Sequence, residues 1–119
     1  MKIIYRISDA GYNKVKPNYI DNEKCLVNAL KVFKDAEWSI IADNISKETN
    51  DMITKHISRN YVYYVEEGNG ALTFNIALDE ALMGDNDDEI IYFIENDYLH
   101  KPNSEKIIKE GFELGASFI

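Results

Sequence analysis

Apolar residues recur along this chain in two rhythms, short β-branched and aromatic runs and longer stretches with helical spacing, and their alternation predicts the architecture. Lys2 to Ile7 predicts a first strand, closed by Ser8-Asp9-Ala10-Gly11, whose small and acidic residues make a loop. Tyr12 to Tyr19 has no clean period and carries Pro17, so it predicts a long irregular connection of the kind that is often functional. From Glu23 to about Phe33, Leu26, Ala29, Leu30 and Phe33 follow the i, i+3, i+4, i+7 spacing of one helical face, with Asp21 or Asn22 as the N-cap. Trp38 to Ala42 predicts a second strand closed by Asp43-Asn44, and Lys47 to about Ser58 a second helix capped by Ser46.

Tyr61 to Val65 predicts a third strand, and Glu66 to Gly70 is a turn by composition. Ala71 to Met83 is rich in strong helix formers and apolar around much of its circumference, which predicts a third, largely buried helix. After an acidic, solvated linker from Gly84 to Glu89, Ile90 to Ile94 reads as a buried strand that breaks abruptly into Glu95-Asn96-Asp97. A helix introduced by Pro102 then runs from about Asn103 to Glu113. Strands and helices alternate throughout, which implies right-handed crossovers: a single α/β domain over residues 1–119, a Rossmann-like three-layer α/β/α sandwich with a mostly parallel sheet.

Composition narrows the class without changing that picture. A hydrophobic content of 45% and a charged content of 29% are those of a soluble globular protein, and with no signal-like or bilayer-spanning run the expectation is a cytoplasmic protein. A formal net charge of -8 argues against nucleic acid as a partner, since phosphates must be neutralised by Lys and Arg. The single Cys25 cannot form an intramolecular disulfide and reads as a small buried hydrophobe.

Parallel strands deliver their carboxyl ends to one rim, which here gathers Ser8, Asp9, Asp43, Asn44, Glu66, Glu67, Glu95, Asn96 and Asp97. Acids collected this way repel one another, and a bound cation or a set of donors relieves the repulsion. A divalent metal with a nucleotide diphosphate does so, because Mg²⁺ and Mn²⁺ favour a few carboxylates plus phosphate oxygens.

The strand followed by Glu95-Asn96-Asp97 and Tyr98-Leu99-His100 resembles the DxD-type motif of nucleotide-sugar glycosyltransferases with the GT-A fold, of the family-2 kind. The resemblance implies that Asp97 ligates a divalent metal, Mn²⁺ or Mg²⁺, bridging the donor's diphosphate. Glu95 matches the first acid of the motif and Asn96 its variable middle position. Asp43 falls where the family places an acid for the nucleobase, and Ser8 and Asp9 end the first strand beside the same nucleoside pocket. Gly68 to Ala77 resembles the family's Gly-rich turn and following helix, with Asn75 on its usual Asn. Phe74 stands where a basic residue is often found, and Ala77 where Gly is frequent.

The resemblance implies binding of a nucleotide-diphosphate sugar, a UDP-sugar being favoured, and transfer of the sugar to a saccharide or other hydroxyl acceptor. It covers only the donor-binding front half of a typical member. The later strands that carry the family's acceptor site and catalytic base have no counterpart in residues 1–119, so the expectation is a truncated or unusually small member, or one that works as a homo-oligomer or with a second chain.

Other readings of the same residues stay open. Glu95 and Asp97 can be a solvated strand-end turn with Asp97 or Asn96 capping the next segment, and Asp43 an ordinary strand terminator. His56 lies at helical spacing with Ile53 and Ile57 and reads as packing at a helix edge, while His100 reads as a solvated loop histidine. A receiver-like or other non-catalytic interaction module shares the alternating order. The receiver reading, however, needs an acidic pair after the first strand and a phosphorylatable Asp after the third, where this chain has Ser8-Asp9 and Glu66-Glu67.

Overall fold

A computed structural model of the chain describes residues 1–9 and 17–117. Most of the predicted irregular connection, residues 10–16, lies outside the described residues, as do Phe118 and Ile119. The elements are β1 (Lys2–Ser8), α1 (Asn22–Val32), β2 (Glu37–Asp43), α2 (Lys47–His56), β3 (Val62–Val65), α3 (Gly70–Leu82), β4 (Ile91–Glu95) and α4 (Ser104–Glu113).

The strands form one sheet in the order β3-β2-β1-β4, and every pairing is parallel. Helices flank it on both faces, giving the expected Rossmann-like three-layer sandwich. The period of two in β1 sends Ile3, Tyr5 and Ile7 into the main core with Leu26 and Ala29 of α1, its C-cap Phe33, and Ile53 of α2. Ile4 faces the other way, where Ile41 and Ala77 of α3 form a second, smaller core.

Local chemistry explains the helix boundaries. Asp21 caps α1 by accepting from the Lys24 N–H at 2.7 Å, and Ser46 caps α2 by accepting from the Thr49 N–H at 3.1 Å. The second helix stops two residues early because Ser58 instead caps a 3₁₀ turn over Arg59–Tyr61, which also removes Tyr61 from the third strand. His56 does sit at the helix edge, where its Nε2 meets Glu23 of α1 at 2.9 Å. That hydrogen bond, and then the Lys55 charge, hold the Glu23 carboxyl below its usual range.

Two burial expectations are corrected. Only Thr73 and Ala77 of α3 are buried, while Leu72, Phe74, Leu78 and Leu82 are exposed. This helix rests on the sheet along a narrow stripe of small residues flanked by the partly buried Ile76 and Ala81, which leaves Leu72, Leu78 and Leu82 facing outward. β4 lies at an edge of the sheet rather than within it, and of its residues only Ile94 is buried.

Candidate functional site

The chain steps outward from β1 to β2 to β3 and then returns to place β4 on the opposite flank of β1. The strand order therefore reverses between β1 and β4, and in open parallel sheets the crevice outside the carboxyl ends at such a switch point is where ligands bind. Register pairs Arg6 with Glu95, so Ser8 and Asp9 on one side face Glu95, Asn96 and Asp97 on the other.

The acids of the motif take different partners. Glu95 turns to the α3 face and forms an ion pair with Arg6. The Arg6 guanidinium also donates from Nη1 to the Gly70 carbonyl at 2.9 Å and lies 5.2 Å over the Phe74 ring. A guanidinium from the central strand thus stands beside Phe74.

On the α1 face, Asn96 donates from Nδ2 to Asn22 Oδ1 at 2.8 Å, which ties the motif to the first turn of α1. Asp97 is half-buried, and its Oδ1 is enclosed without a hydrogen-bond partner among the described residues. The Tyr5 hydroxyl is in the same position. Burial, then the nearby Cys25 and Asp97, push the Tyr5 phenol far above its ordinary value, so it stays neutral. An enclosed carboxylate oxygen with no donor among the described residues carries a desolvation cost that no protein hydrogen bond offsets.

The other predicted residues are distributed by the fold in ways their spacing does not announce. Asp43 is buried, and its carboxylate accepts from the Glu67 N–H at 2.8 Å, the Gly68 N–H at 3.0 Å and the Thr73 hydroxyl at 2.9 Å. It fastens the β3–α3 turn to the end of β2. Asp9 reaches α2, where it accepts from the Ser46 N–H and the Thr49 hydroxyl. Ser8 is half-buried at the end of β1, and Asn75 is exposed on α3. A separate cleft of about 520 Å³ opens on the same rim between β2 and β3, lined by Asn44, Ile45, Tyr64 and Glu66 among others.

His100 corrects its own expectation, since it is half-buried rather than solvated. Its Nε2 meets the Tyr92 hydroxyl at 2.8 Å, and its backbone exchanges two hydrogen bonds with the Asn28 side chain at 2.6 and 3.0 Å. The ring packs edge-on against Phe33 at 5.2 Å, and burial lowers its pKa. The segment after the motif is thereby clamped onto α1. The signal for this lies in Asn28, a polar residue on the flank of an otherwise apolar helix face.

Among the described residues no three His, Cys, Asp or Glu side chains gather as a metal-binding group, and no helix is long and apolar enough to cross a membrane. One or two carboxylates suffice where phosphate oxygens complete the coordination sphere, and Asp97 fits that role through its unpartnered oxygen. Comparison of the chain with protein-family models, curated proteins and solved structures gives no match.

Proposed function

We propose that the crevice between β1 and β4 binds a nucleotide-diphosphate sugar, with a UDP-sugar as the first candidate, through a divalent cation held by Asp97. The observation that carries this reading is the enclosed Oδ1 of Asp97, without a donor among the described residues, at the carboxyl end of β4 and beside the point where the strand order reverses. Glu95, about half of whose side chain is exposed, is the other carboxylate of the motif and is engaged by Arg6. Mn²⁺ or Mg²⁺ in this position supplies Lewis-acid stabilisation to a departing diphosphate.

The chain's own contribution is positioning. Asn96 and His100 hold the motif against α1, and Asp43 shapes the turn that borders the crevice on the α3 side. The reaction this serves is transfer of the sugar to a hydroxyl acceptor, a saccharide or another alcohol. Calorimetry with UDP, with and without Mn²⁺, tests the reading: binding should depend on the metal and be lost in Asp97→Asn. Absence of UDP binding under both conditions overturns it.

A non-catalytic interaction module is the second reading, favoured by the exposed Leu72, Leu78, Leu82 and Met83 along and just beyond α3. It requires a melting temperature that neither Mn²⁺ nor any nucleotide diphosphate moves.

A further inference from the structure

Arg6 occupies a position where a central strand ordinarily carries an apolar residue. It sits between β2 and β4, and only 16% of its side chain is exposed. Withdrawing a guanidinium from water is costly, so the surroundings of this one indicate what it is kept for. Nη1 is fixed by the Gly70 carbonyl at 2.9 Å, and the ring of Phe74 lies 5.2 Å beneath the guanidinium carbon. Nη2 meets Glu95, and Nε is enclosed with no acceptor among the described residues.

The pair is asymmetric: the cation is pinned from two directions, whereas 47% of the Glu95 side chain is exposed. Glu95, half open to solvent, can give up its place to another anion, because the largely buried guanidinium needs a counter-charge and does not need that particular one. A guanidinium presents a planar fork of donors that matches two oxygens of a phosphate as well as it matches a carboxylate. The rim around it is rich in carboxylates, so an anionic ligand entering the crevice needs a fixed positive charge to offset the repulsion.

We propose that Arg6 is the anion-binding residue of this crevice. It holds Glu95 while the crevice is empty and, with Nη1 still on the Gly70 carbonyl, offers the Nη2 that Glu95 vacates to the diphosphate of the ligand, while Glu95 moves into water. The proposal rests on reading the crevice as a diphosphate site. The competing account is a purely structural ion pair between β1 and β4. Both accounts expect a less stable protein when Arg6 is replaced, so stability does not separate them.

Calorimetry in the presence of Mn²⁺ with two probes, UDP and uridine, does separate them. Arg6→Gln should weaken UDP binding by about 10- to 100-fold, the loss of one charge-assisted contact, and leave uridine binding unchanged. Arg6→Lys, which keeps the charge and loses the fork, should fall between the two. Glu95→Gln should bind UDP in metal-free buffer more tightly than the parent protein, because Arg6 has lost its resting counter-ion. Arg6→Gln that binds UDP like the parent, or that loses UDP and uridine in the same proportion, overturns the proposal. If Arg6→Gln does not fold, Glu95→Gln decides alone, and unchanged or weaker metal-free binding of UDP overturns the proposal. A parent protein that binds neither probe removes the diphosphate reading itself, and the role of Arg6 falls with it.

Discussion

The Asp43 carboxylate and the Thr73 hydroxyl meet at 2.9 Å in the interior, where β2 ends and α3 begins its second turn. Asp43 is only 4% exposed, and it also accepts from two successive backbone N–H groups of the β3–α3 turn. A buried carboxylate surrounded by donors is a joint, and removing it strands two backbone N–H groups at once, while the Thr73 hydroxyl keeps the Asn69 carbonyl at 2.9 Å. Asp43→Ala should therefore cost about 2–4 kcal/mol, against about 1 kcal/mol for Thr73→Val, which removes one donor. Urea titration followed through the single Trp38 measures both, since that indole is buried and donates to the Phe33 carbonyl at 3.0 Å.

Gly68 lies in the same turn with φ +63, and a Cβ there would come 3.3 Å from the Asn44 amide nitrogen. Gly68→Ala should destabilise the fold by about 1–2 kcal/mol, the cost of a left-handed residue with a side chain. Gly84 carries no such constraint, as a Cβ there meets nothing within 4 Å. Gly84→Ala is the matched control, and its unfolding midpoint should stay close to the parent's.

The narrow seat of α3 makes an asymmetric prediction about volume. Ala77 is fully buried against Ile4 and Ile41, so Ala77→Leu forces the helix off the sheet at a cost of about 1–3 kcal/mol. Leu82 is 81% exposed, and Leu82→Gln should change stability by less than about 0.5 kcal/mol and lower any light scattering that arises from contact through this apolar face. Thermal melts and light scattering on the two variants test the pair together.

Burial of His100 links the clamp on α1 to pH. In the unfolded chain the imidazole takes up a proton near its ordinary value of 6.5, and in the folded chain it does so only at lower pH. Between those two values the unfolded state holds the extra proton. The contribution of His100 is therefore constant above the unfolded value, falls as pH drops through the window, and levels off below the folded value. Comparing urea midpoints at about pH 7.5 and about pH 5.5 should show a larger loss in the parent than in His100→Gln.

Periodicity makes the elements legible because it reports local burial, and the alternation of strands and helices carries the parallel order with it. Ser46 and Asp21 can be read as caps because a cap acts within three residues of itself. The partners of Asp43, Asp9 and Glu95 are not legible, since each is reached across the fold and sequence spacing has no term for that. The burial of α3 escapes the sequence for a related reason: hydrophobicity states what a helix can bury, and the sheet face decides how much it does. Arg6 reads along the chain as a mere interruption of a strand, since its partners Glu95, Gly70 and Phe74 all come from distant elements. His100 stands next to the motif, and its clamp depends on Asn28 in a different element.

The strand order also fixes when the crevice can come into being. Successive crossovers let β1, β2 and β3 associate as the chain emerges, each pairing with its predecessor. The other flank of β1 must wait for β4, and the Arg6–Glu95 pair across that seam joins residues 89 positions apart. Closing so long a loop is slow compared with the earlier pairings. Until it closes, Arg6 is a cation without a counter-ion on a bare strand edge. The crevice between β1 and β4 is thus completed by the pairing that joins the most distant strands of the sheet, so it exists only once the fourth strand is in place.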